Sequence, residues 1–89
     1  MNVGVLVSGA GTNLQALVDA SREPDYPARV VLVGCNRSET PAIARAEAAG
    51  IAVCVVDRAS APRRADRQHT LLAALRSAGV ELVVLAGFD

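Results

Sequence analysis

The residues of this chain best suited to chemistry stand in one short run, Ser8-Gly9-Ala10-Gly11-Thr12-Asn13, directly after the apolar and β-branched stretch Val3 to Val7. A strand is stopped and a helix begun within a few residues, two of them glycine. Such a join gathers backbone N–H groups at a helix N-terminus, where the macrodipole adds partial positive charge. The chemistry this predicts is capture of an anion, most often a phosphate monoester, by the amides of Gly11, Thr12 and Asn13.

Other readings of the loop can be weighed residue by residue. Gly9 and Gly11 match the first two positions of the dinucleotide fingerprint G-x-G-x-x-G, but the third holds Leu14, which opposes close helix–strand approach. The end of the second apolar run offers Cys35, Asn36 and Arg37 where an acidic ribose partner belongs; Arg37 leaves an NADP-type module open. A P-loop is excluded because the Gly-Lys-Ser/Thr ending is missing. A glycine turn with no ligand is the remaining alternative. The sole histidine, His69, lies mid-helix without an acidic or cysteine partner in register and reads as a surface or half-buried helix residue. Cys35 and Cys54 sit in apolar runs without metal-ligand spacing, so both are expected to be buried, reduced thiols.

The elements that position the loop follow from hydrophobic patterning. Asn2 to Ser8 reads as a first strand, apolar along its length as a strand covered on both faces requires. Thr12-Asn13-Leu14-Gln15 has capping-box spacing, predicting Thr12 as N-cap with Gln15 reaching back, and Leu14, Leu17 and Val18 form the buried stripe. Pro24 and Pro27 end that helix. Ala28 to Cys35 is a second strand. Thr40 as N-cap and Pro41 at the first helical position open a second helix, Ala42 to Ala49, which Gly50 stops. Ile51 to Val56 is a third strand, Asp57 to Pro62 a polar loop, and Arg63 to Ala78 a third helix with Leu71, Leu72 and Leu75 inward and Gly79 at its end. Val80 to Ala86 is a fourth strand. The β-α-β-α-β-α-β alternation implies an α/β fold, a Rossmann-like open parallel sheet with right-handed crossovers and helices on both faces.

Bulk properties narrow the partners. Eighty-nine residues, 52% apolar, make one small domain with a modest core; aromatic content of 2% means a core of Val, Leu, Ile and Ala. Nine arginines balance nine acidic residues, and a net charge of zero argues against a nucleic-acid partner, since no basic excess exists to displace counterions. No apolar run is long enough to span a bilayer and no signal-peptide pattern opens the chain, so a cytoplasmic location is expected.

The stretch Val5-Leu6-Val7-Ser8-Gly9-Ala10-Gly11-Thr12-Asn13-Leu14-Gln15-Ala16 resembles the opening of the folate-dependent glycinamide ribonucleotide formyltransferases, an apolar strand followed by Ser-Gly-x-Gly-Ser/Thr-Asn-Leu-Gln. Further likeness lies in Asn36-Arg37, in Ala44-Arg45-Ala46 before Ala49-Gly50-Ile51, and in Leu82-Val83-Val84-Leu85-Ala86-Gly87-Phe88. Methionyl-tRNA formyltransferase and formyltetrahydrofolate hydrolase are poorer matches, since neither opens with this Gly-x-Gly-Thr-Asn turn. The resemblance implies that residues 1–89 are the N-terminal, nucleotide-binding part of a formyltransferase domain, with strand order 3-2-1-4. That order sets strands one and four side by side, so that the 8–13 loop and Gly87-Phe88 flank one crevice.

What the resemblance implies about function is formyl transfer from 10-formyltetrahydrofolate to the amine of glycinamide ribonucleotide in purine synthesis, with no metal. Gly11, Thr12, Asn13 and Gly87 would meet the substrate, Arg64 and Phe88 the folate; a solvated arginine is the other reading of Arg64, because Arg58, Arg63 and Arg67 crowd the same stretch. Where the family has an aromatic followed by Asp, this chain has Arg67 and Gln68, and Asp89 stands where Met is expected. The family's catalytic Asn, His and Asp come later than residue 89, so none is assigned here and the chain alone is expected to be inactive. A fourth strand with an open side is expected to favour self-association.

Overall fold

Each of the four apolar runs becomes a strand of a single sheet. In a computed structural model that describes residues 1–88, β1 (Asn2–Val7), β2 (Arg29–Cys35), β3 (Ala52–Val55) and β4 (Leu82–Leu85) alternate with α1 (Thr12–Ser21), α2 (Pro41–Ala48) and α3 (Arg64–Ser77). The strands are all parallel in the order β3-β2-β1-β4, as expected, with β1 and β4 neighbours. Element boundaries fall within two residues of those read from the sequence; most lie inside them, and α2 begins one residue earlier, at Pro41.

The two faces of the sheet are filled differently. Val3, Val5 and Val7 of β1 and Val30 and Val33 of β2 pack with Leu14 and Val18 of α1 and Ala42 and Ala46 of α2 into one buried cluster. Alternation sends Gly4 and Leu6 of β1 to the opposite face, over which α3 runs. There the seats are glycines: a Cβ on Gly4 would stand 2.7 Å from Leu75 Cδ2, and one on Gly34 2.7 Å from both Leu6 Cδ2 and Leu71 Cδ1. Leu71 and Leu75, four apart, share the helix face turned to the sheet. Leu72 corrects the sequence reading: it is 46% exposed, because one residue on from Leu71 the helix has turned it away from those two seats. No residue of α3 is fully buried, so the helix rests on the sheet through few side chains.

Helices α2 and α3 end as their glycines predict. Gly50 N–H donates to the Glu47 carbonyl and Ile51 N–H to that of Ala46; Gly79 and Val80 make the equivalent pair to Arg76 and Leu75. These bonds close the last turns and leave few carbonyls bare. Strands β3 and β4 are the sheet edges. On β4, Leu82, Val83 and Leu85 are 48%, 43% and 68% exposed. Position on the edge also corrects the expectation for Cys54 of β3, which is half-buried; Cys35 of the inner strand β2 is buried, and both thiols are free. Partial burial pushes the Cys54 thiol up, since desolvation disfavours the thiolate.

Gly34→Val tests how α3 is seated. Two methyl groups would enter the space held by Leu6 and Leu71, and the cost is expected to be about 1–3 kcal/mol in urea unfolding, the usual range for overpacking. Hydrogen exchange should quicken in α3 more than in α1 or α2.

Candidate functional site

In the turn between β1 and α1 the carbonyls are taken up by hydrogen bonds within the protein. The Gly9 carbonyl accepts from the Ala42 amide at 3.2 Å, the Ala10 carbonyl from Arg45 Nε at 2.9 Å, and the Gly11 carbonyl from the Gln15 amide at 2.9 Å. Among the described residues, no hydrogen bond is donated by the amide of Gly11, Thr12 or Asn13. Thr12 and Asn13 are exposed, Gly11 is buried against α2, and α1 has no acidic residue in its first turn. A helix N-terminus in this condition can hold an anion, at about 0.3–1 kcal/mol for the dipole and up to about 2 where partly buried.

The predicted capping box does not form. Gly11, not Thr12, is the N-cap, with φ 78° and no side-chain cap bond, and Gln15 Nε2 turns forward to donate to Asp19 Oδ1 at 2.9 Å. The physical reason lies in α2. A Cβ on Gly11 would stand 2.8 Å from Ala42 Cα and 3.2 Å from Arg45 Cδ, so the chain passes α2 in a left-handed conformation and enters the helix one residue early. Leu14, at the third position of the unfulfilled dinucleotide pattern, is fully buried in the core.

Ser8 N–H donates to the Gly87 carbonyl at 3.0 Å, which ties the end of β4 to the start of the glycine turn. Gly87 and the 8–13 loop therefore lie side by side, as the strand order predicts. Phe88 and Arg64 also come together: with Asn36, Val56, Arg67, Gln68 and Leu71 they line a cavity of about 140 Å³. Arg67 is committed elsewhere, donating to the Ala61 and Pro62 carbonyls at 2.8 Å each. His69 is exposed, as expected of a helix-surface residue.

A second cavity of about 490 Å³ adjoins the first through Asn36 and is also lined by Arg37, Ser38, Asp57 and Arg58. The Ser60 amide donates to Asp57 Oδ1 at 2.9 Å. That bond, with help from the Ser60 side chain, holds the Asp57 carboxyl below its usual range by favouring the ionised form. Among the described residues no His, Cys, Asp and Glu cluster could hold a metal ion. Sequence reasoning missed the part α2 plays at the glycine turn: Arg45 was notable only for its place in a matching segment. The signal available was a lone basic residue one turn inside an alanine-rich helix.

Comparison with known proteins bears on this arrangement. The formyl transferase family model matches residues 1–89. Phosphoribosylglycinamide formyltransferase of Haemophilus influenzae is 35% identical over 86 residues, covering 97% of this chain and 41% of that protein. The trifunctional purine biosynthetic protein adenosine-3 of Gallus gallus is 38% identical over 88 residues, 99% of this chain and 9% of its own length. Among solved structures, glycinamide ribonucleotide transformylase 1 from Symbiobacterium toebii superposes with a TM-score of 0.90 at 41% identity, covering 99% of this chain and 42% of that one. The chain thus spans less than half the length of each of these relatives.

Two outcomes follow from the geometry. Gly11→Ala should destabilise the chain by about 2–4 kcal/mol, combining the left-handed penalty with overpacking against Ala42, as measured by denaturant unfolding. Asp57 should titrate below the usual carboxyl value of about 3.9 when its side-chain carbon is followed by NMR. Since its folded value is the lower one, its stabilising contribution is present above the unfolded value and lost as pH falls through the folded one.

Proposed function

Because the chain belongs to the formyl transferase family, matched along its whole length, we propose that residues 1–89 form the nucleotide-binding part of a glycinamide ribonucleotide formyltransferase of purine synthesis. In this reading the amides of Gly11, Thr12 and Asn13 hold the 5′-phosphate of glycinamide ribonucleotide, and Gly87 borders the same substrate. The observation that carries it is the set of amides at the head of α1, none of which donates a hydrogen bond among the described residues. A phosphate dianion placed there gains the helix dipole and several N–H donors together.

The co-substrate is 10-formyltetrahydrofolate, which supplies the formyl carbon. Phe88 and Leu71 offer apolar contact and Arg64 a fixed positive charge, a set that suits an aromatic acid. The cavity they line, about 140 Å³, is smaller than the ~300 Å³ of a typical small-molecule pocket. These residues would therefore supply one wall of a folate site. The substrate amine attacks the formyl carbon, and the tetrahedral intermediate requires oxyanion stabilisation and removal of an amine proton. By the same resemblance those tasks fall to an Asn, a His and an Asp outside this stretch. What residues 1–89 contribute is positioning: a phosphate held at one fixed point limits the approach of the amine.

The reading is tested by titrating the 15N-labelled chain with glycinamide ribonucleotide. Amide shifts should centre on Gly11 to Asn13, with NADP as a control that leaves them unmoved; silence at those three amides removes the assignment. Gly9→Ala sharpens the test, because a Cβ on Gly9 meets nothing within 4 Å of protein. Its folding stability should stay within about 0.5 kcal/mol of the parent, while affinity for glycinamide ribonucleotide falls about tenfold or more through crowding of the phosphate. The exposed apolar side chains along the β4 edge support self-association of the 89-residue chain, read as a concentration-dependent sedimentation coefficient.

A further inference from the structure

Two hydrogen bonds from α2 decide which way the glycine turn faces. In a planar trans peptide the carbonyl of one residue and the amide of the next point in opposite directions. The described residues contain no cis peptide. Drawing the Gly9 carbonyl to the Ala42 amide and the Ala10 carbonyl to Arg45 Nε therefore turns the Ala10 and Gly11 amides to the far side, away from α2. The first of these bonds is backbone to backbone. The second depends on one side chain.

Arg45 is half-buried, and its Cδ stands 3.2 Å from where a Cβ of Gly11 would be, so its stem runs beneath the turn. No carboxylate forms an ion pair with it among the described residues. Its guanidinium charge is permanent and stands behind the peptide units whose amides face outward. A charged N–H donor also polarises the Ala10 peptide, which strengthens the Gly11 N–H as a donor on the opposite side.

We propose that Arg45 is a positioning residue for the anion site: through the Ala10 carbonyl it holds the Gly11 amide outward, and it adds positive charge behind the turn. The ligand side of this inference rests on the reading of Gly11 to Asn13 as a phosphate site; the conformational side does not. Arg45 also lies in the last turn of α2, where any cation suits the helix dipole. That role alone would leave the Ala10 and Gly11 amides unmoved when the side chain is changed.

The test uses Arg45→Met, which keeps a stem but loses donor and charge, and Arg45→Lys, which keeps a charged donor. The 89-residue chain is examined by 15N–1H spectra first without ligand and then with inorganic phosphate as probe. In Arg45→Met the ligand-free Ala10 and Gly11 amide signals should shift or broaden, phosphate affinity should fall about tenfold, and the urea midpoint should hardly move. Arg45→Lys should recover part of both the shift and the affinity. Wild-type Ala10 and Gly11 signals in Arg45→Met, or phosphate affinity within twofold of wild type, would overturn the proposal. If the wild-type chain itself takes no phosphate, the phosphate assignment fails, and the ligand-free spectra still decide whether Arg45 holds the turn.

Discussion

The face that the glycine turn presents depends on how closely α2 lies against the turn that leaves β1. Ala42 Cα is 2.8 Å from the point where a side chain on Gly11 would begin, so backbone meets backbone there. Contact at that range lets α2 collect the carbonyls of the turn by short hydrogen bonds. Amides and carbonyls of a peptide cannot both face the same way, so the collection of one set is the presentation of the other. Were the turn reversed, carbonyl oxygens would face the crevice and repel an anion. One missing Cβ thus connects helix packing to electrostatics at the crevice.

The same device is used on the opposite face for a different end. Gly4 and Gly34 lower the floor of the sheet beneath α3, and Leu75 and Leu71 fill the hollows. On an ideal helix Arg64, Gln68, Leu71 and Leu75 fall on one side, at spacings of four, three and four. The apolar end of that side is seated on glycine, while its polar end reaches beyond the strand ends and lines the cavity with Phe88. A single helix face therefore anchors the element and carries Arg64 to the crevice. Its burial is slight, which makes α3 the helix whose position is most sensitive to the volume of the two glycine seats.

Much of this was legible in the sequence because the relevant patterns are local. Continuous apolar runs separated by helical stretches specify parallel strands without knowledge of partners, and Gly50 and Gly79 mark helix ends by their own conformational freedom. The strand order came from likeness to a family, and it carries the meeting of Gly87 with the glycine turn. The errors share one cause. Thr12 and Gln15 satisfy a capping pattern, but the pattern does not contain α2, which forces a glycine into the cap position. Leu72 has the composition of a core residue and the wrong azimuth, and azimuth is fixed only by where Gly4 and Gly34 lie beneath the helix. The role of Arg45 could not be assigned for the same reason: the residue stands out in an alanine-rich helix, but its acceptor, the Ala10 carbonyl, is 35 residues away in the chain.

The two glycines of the turn separate internal need from external. Gly11 is accounted for by the protein alone, since its backbone is left-handed and α2 fills the space of a side chain. Gly9 has neither excuse: its backbone is not left-handed and nothing lies within 4 Å of the Cβ it lacks. A glycine there costs the folded chain more conformational entropy than alanine would, with no close packing gained in return. Open space beside a glycine, next to amides that donate no hydrogen bond among the described residues, suits a group that must approach the main chain closely. At Gly9 the fold by itself would accept alanine, and the glycine there keeps the main chain open to a close approach from outside.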